Sequence, residues 1–321
     1  MKKHLCLLMV LSLMLLGCDK KSKIEKAVEA IPVQLKVHRF EKAFFGATPQ
    51  TLGQVKQEYP FFFPPENDDQ VWLDKIQNPQ WRELYTEVEK RYGDFSTQTQ
   101  ETEELFKHIK YYFPKTQLPQ VYTIIAEMDY QTKIVYTRDK LIIPLELYLG
   151  RDHRFYEFPK YLKEGFEPRQ MMPDIVTAYA RTQVPPPHSA DFLSQMIYYG
   201  KMLYLKDILL PDYTDAERIG YSAQQQKWSQ ENDAYVWRYF IERKMLYDTD
   251  QKLSSRFINM APFSKFYLEI DNESPGRIGT WIGWQIVRSY MKNNDVSLQT
   301  MLMTDAKQIF EQSHYKPKKN E

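Results

Sequence analysis

Cysteine, histidine and glycine are the scarce residues of this 321-residue chain, and each scarcity removes a class of chemistry. The two cysteines, Cys6 and Cys18, lie in the first eighteen residues, so the body can form neither a disulfide nor a thiolate metal site. His4, His38, His108, His153, His188 and His314 are far apart in sequence, which excludes the paired-histidine helix of zinc peptidases. The eleven glycines supply no Gly-x-Ser-x-Gly elbow and no Gly-Lys-Ser/Thr phosphate loop. Excess charge of either sign is missing too, with 43 basic against 42 acidic residues, so no nucleic-acid partner is expected. The one long apolar run, Leu5–Leu16, is shorter than the roughly 20 residues that a spanning helix needs.

What is present begins with that run. Lys2 and Lys3 precede it and Gly17-Cys18 follows, the layout of an export signal over residues 1–17. Leu15-Leu16-Gly17-Cys18 fits a bacterial lipobox, in which a small residue precedes a cysteine that is diacylated before cleavage. Cys18 then becomes a lipidated N-terminus, and two or three acyl chains hold the protein on a membrane. Losing the signal leaves 41 basic and 42 acidic residues, a net charge of −1. Residues 18–32 read as the lipidated N-terminus and a short charged tether, and residues 33–321 as a single globular envelope domain.

Within the body, alternation at Val33, Leu35 and Val37 predicts a half-buried strand ending at Arg39-Phe40-Glu41. A short helix is expected over Pro49–Glu58. The aromatics of Tyr59–Pro65 are expected to plug a groove. Asn78-Pro79 opens a helix closed by Gly93, and another runs from Thr99 to Phe113. Runs at 121–125, 133–137 and 140–145 are β-prone and predict a small antiparallel sheet. Helices follow near 159–165, 169–182 and 189–209. Ser222 and Gln225 form a capping box for a helix reaching about Tyr247, and residues 298–310 form a last amphipathic helix. The fold class is therefore α+β, predominantly α.

The stretch Ser274–Met291 is the most distinctive. Ser274 offers an N-cap oxygen and Pro275 fits the first helical position. Beyond them Trp281, Ile282, Trp284, Ile286, Val287 and Tyr290 make a helix apolar nearly all round, which belongs in the interior. Gly279 and Gly283 share a face and predict close approach of a neighbouring backbone. Arg277 would sit in the first turn, where a cation opposes the helix dipole. It is expected either to pair with Glu273, Asp271 or another carboxylate, or to bind an anion or a partner.

The lipobox, Arg39-Phe40-Glu41, Tyr59-Pro60-Phe61-Phe62, Gln195–Tyr204, Leu246–Asp250, Phe257–Phe263 and above all Ser274–Met291 together resemble the gliding-motility lipoprotein GldB family of the Bacteroidota. The resemblance implies a lipid-anchored component of the cell envelope that acts beside type IX secretion in adhesin movement. It implies no enzyme activity, no cofactor and no catalytic residues, and its implied partners are other gliding and secretion proteins. Asp19-Lys20-Lys21-Ser22 lacks an acidic cluster of the kind that tends to mark surface-exposed lipoproteins, so the anchored body is expected to face the periplasm. Two alternatives stand beside this reading. A small sheet followed by a helix at Pro173–Ala180 and another carrying Gly200 fits a zincin-like scaffold that has lost its ligands, hence a divergent metallopeptidase-like hydrolase. Arg277 could instead centre an anion- or glycan-binding module.

Overall fold

The computed structural model describes residues 22–317. It starts with helix α1 (Lys23–Glu29), opened by a capping box between Ser22 and Glu25. This helix lies within the stretch read as a tether, and it buries Val28. Strand β1 (Val37–Arg39) leads into α2 (Phe40–Phe45), α3 (Leu52–Glu58), α4 (Asp69–Gln77), α5 (Pro79–Tyr92) and α6 (Ser96–Tyr112). Then come β2 (Gln120–Ile124), β3 (Val135–Tyr136) and β4 (Lys140–Pro144). Everything after β4 is helical or irregular: α7 (Lys160–Lys163), α8 (Met171–Gln183), α9 (Phe192–Leu209), α10 (Asp215–Ile219), α11 (Ala223–Glu231) and α12 (Asp233–Glu242). The last elements are α13 (Lys252–Phe257), α14 (Ile278–Asn293), α15 (Leu298–Met303) and α16 (Ala306–Ser313). The class is predominantly α with a small sheet, as composition and periodicity predict.

The sheet itself departs from expectation, because it is mixed rather than antiparallel. Its order is β1-β2-β4-β3, with Val37 beside Val121 and Val121 beside Leu141 in parallel register. Only β3 and β4 run antiparallel, Val135 facing Ile142. The reason is connectivity: helices α2 to α6 separate β1 from β2, so the chain re-enters the sheet in the same direction. The tight β3–β4 turn forces antiparallel pairing there, and β4 then inserts between β3 and β2. The strand expected from Val33 is shorter than its alternation suggests, since the Leu35 N–H is taken by Glu103 (2.9 Å) instead of by a ladder.

The aromatic run folds into a 3-10 turn over Pro60–Phe62, with Tyr59 and Phe63 buried and Phe61 43 % exposed. Its rings meet Phe40, Phe44, Trp72 and Tyr122 at 4.3–6.3 Å between centroids. They fill a groove between α2, α4 and the sheet, as expected. Asn78 caps α5 through the N–H groups of Gln80 and Trp81 (2.9 and 3.3 Å). The helix opened by Ser222 and Gln225 breaks at Asn232 into α11 and α12. The last amphipathic helix breaks similarly at Thr304 into α15 and α16.

Helices α9 and α14 cross at the centre of the helical part. A Cβ on Gly200 would lie 2.4 Å from the Gly283 carbonyl, and one on Gly283 would lie 1.9 Å from the Met196 oxygen. The two glycines therefore let the backbones touch, which offsets the roughly 1 kcal/mol that each costs its helix. Beside the crossing, Asp207 accepts from the Trp284 indole (2.8 Å) and from Arg288, which also pairs with Asp215 (2.7 Å).

Candidate functional site

Helix α14 starts at Ile278, later than the sequence reading placed it, and Arg277 occupies the N-cap position. The Ser274 hydroxyl is engaged elsewhere: it accepts from the Ser264 N–H (3.1 Å) and lies 2.7 Å from the Asp271 carbonyl. Ser264 takes over the capping role from a neighbouring loop. Its oxygen accepts from the Ile278 N–H (3.2 Å) and donates to the Pro275 carbonyl (2.7 Å). Gly276 makes that approach feasible, since a Cβ there would fall 2.1 Å from the Ala261 oxygen. The chain then enters the helix through Arg277 at φ +62°, a left-handed conformation that costs a non-glycine residue on the order of 1 kcal/mol or more.

This turn settles where Arg277 points. Its Nη2 donates to the Ile219 carbonyl (2.6 Å), with the guanidinium over the Tyr221 ring at 5.6 Å. The expected pairing with Glu273 or Asp271 does not occur. Asp271 instead accepts from the N–H groups of Phe266, Tyr267 and Leu268, and no carboxylate among the described residues forms an ion pair with Arg277.

Arg277 lines a cavity of about 720 Å³ whose walls come from residues 130–134, α8, α9, the 258–260 loop and the first turn of α14. Three more cations line it: Lys133, Arg181 and Lys206. Its sole carboxylate, Asp174, already accepts from Lys133 (3.2 Å) and from the Tyr148 hydroxyl (3.0 Å). Lys206 is buried, and its ammonium donates to the Arg218 carbonyl (2.8 Å). Burial lowers its pKa to about 8, and the charges of Arg277, Lys133 and Arg181 push the same way while Asp174 opposes them. These five groups thus form one electrostatic unit with an excess of positive charge.

Thr280, one turn into α14, also lines the cavity and is only 5 % exposed. Its hydroxyl has no partner among the described residues. A helical threonine usually bonds the carbonyl four residues back, but here the Gly276 carbonyl accepts from Tyr221 (2.6 Å). A buried hydroxyl without a partner costs about 1–3 kcal/mol.

The lining offers no serine, cysteine or histidine among the described residues, and Asp174 is held by two donors. Among the described residues no three His, Cys, Asp or Glu side chains are placed to hold a metal ion. Helix α8, where the zincin-like analogy would put metal ligands, turns Asp174, Thr177, Ala178 and Arg181 to the cavity. Of the residues singled out in the sequence, Arg277 lies in the site and Cys18 lies outside the described residues. Lys133, Asp174, Arg181, Lys206 and Thr280 were not anticipated. Lys206 carried a signal, being a lysine embedded in the apolar helix Phe192–Leu209.

No curated protein and no solved structure matches the chain. The model of the family described as gliding motility protein GldB does match, over residues 21–317. That span takes in every described element, including the Arg277 turn and the cavity, and the chain belongs to the GldB family of gliding motility lipoproteins.

Proposed function

We propose that this protein is a noncatalytic, lipid-anchored component of the gliding machinery that works with type IX secretion and adhesin movement. The observation that carries the reading is the family match across 21–317. In this proposal residues 1–17 are removed as a signal peptide and Cys18 is diacylated. Residues 18–32 tether the chain, and residues 33–321 form one body that faces the periplasm. No described helix is long and apolar enough to cross a membrane, which accords with attachment through an N-terminal lipid. The partners are other envelope proteins of gliding and type IX secretion, and no cofactor is required.

Two measurements in cells test this. Cys18→Ala should abolish palmitate labelling and shift the protein out of the membrane pellet; a variant that is still labelled and still pelleted would refute the anchor. Crosslinking in living cells followed by pull-down should recover gliding or secretion proteins of the envelope. Recovery of unrelated proteins alone would place the chain outside that machinery.

A further inference from the structure

From the cavity alone, and independently of the motility reading, we propose that Arg277, Arg181 and Lys206 form a binding site for a small acidic saccharide. The ligand class is a hydroxylated ring bearing one carboxylate or phosphate.

Size comes first. A cavity of about 720 Å³ is far larger than an inorganic ion needs and lies in the roughly 300–1,000 Å³ range of small-molecule sites. Charge selects an anion, because four cations face one carboxylate and that carboxylate is already shared by Lys133 and Tyr148. Lys206 has given up water for a single hydrogen bond to a carbonyl among the described residues, so an anion in the cavity would restore what burial removes. Arg277 spends one nitrogen on Ile219, and a guanidinium has donors left to hold an anion. The rest of the lining selects the body of the ligand. Tyr130, Tyr161 and Tyr199 also line it beside Gln131, Asn259 and Gln170, whose amide donates to the Glu217 carbonyl (3.2 Å). Tyrosines beside amides suit a sugar better than an alkyl chain.

The test uses the full-length chain in detergent micelles, titrated calorimetrically with glucuronate, glucose 6-phosphate and uncharged glucose. At least one of the two acidic sugars should bind, and glucose should bind about tenfold more weakly or not at all. Binding of glucuronate alone identifies a carboxylated source, and binding of glucose 6-phosphate alone a phosphorylated one. Arg277→Gln should weaken binding, but its bond to Ile219 means that it could also loosen the fold. Arg181→Gln, at the exposed mouth, should lower affinity several-fold without changing the melting temperature. The proposal falls if neither acidic sugar binds in the millimolar range or if glucose binds as well as they do. It also falls if Arg181→Gln binds like the wild type.

Discussion

Glu146 illustrates how one residue can set the pH response of the whole fold. It is fully buried after β4, where one carboxyl oxygen accepts from the Ala126 N–H (3.0 Å) and the other has no partner among the described residues. Burial raises its pKa to about 7, against only partial opposition from backbone N–H groups. A carboxyl whose folded pKa exceeds its unfolded value stabilises the fold fully below the unfolded pKa of 4.5 and loses that contribution as pH rises through about 7. The loss amounts to roughly 3 kcal/mol, at 1.36 kcal/mol per pKa unit. Glu146→Gln should therefore flatten stability between pH 5 and pH 8 and melt higher than wild type at pH 8. Urea titrations at the two pH values measure this, and an unchanged slope would contradict it. Lys201 and Lys206, both lowered to about 8, begin to titrate at the upper end of this range in wild type and variant alike, so they cancel in the comparison. The Glu146 environment was not legible in the sequence, whereas Lys206 could be noticed as a lysine within an apolar helix. Arg277 attracted notice only as a cation near a helix start. Its left-handed turn and its carbonyl partner depend on Ile219, 58 residues away.

Among the elements, the α9–α14 crossing is the feature that the sequence stated best. Apolar residues nearly all round and glycines four apart can be read from one segment, and they translate into a buried helix with a backbone contact. Gly283→Ala would drive a methyl group into the Met196 carbonyl at 1.9 Å, so the helices must separate. The expected loss is at least about 2 kcal/mol. Gly53 in α3 is the contrast, since a Cβ there meets nothing within 4 Å. Gly53→Ala should be neutral or stabilise by up to about 1 kcal/mol. Chemical denaturation of the two variants checks both signs, and equal effects would show that the crossing is not close-packed. Other boundaries escaped the sequence because a distant residue decides them. Ser264 caps α14 in place of Ser274, and long-range pairing of β1 with β2 makes the sheet mixed. The breaks at Asn232 and Thr304 likewise interrupt patterns whose periodicity runs on through them.

For the whole molecule, the fold brings together what the chain keeps apart. Lys133 precedes β3, Asp174 and Arg181 lie on α8, Lys206 on α9 and Arg277 before α14, so no local motif could announce the cavity. Bulk composition nevertheless spoke clearly about class. Few cysteines and dispersed histidines excluded disulfides, thiolate sites and the paired-histidine zinc motif from the body, balanced charge gave no nucleic-acid footprint, and the family match gives a role in gliding motility. Whether gliding depends on this chain is decided by deleting it and following single cells on a surface. The account predicts that the deletion strain stops gliding and that the intact chain supplied in trans restores movement. A deletion strain that glides at wild-type speed and exports its adhesins normally would contradict it.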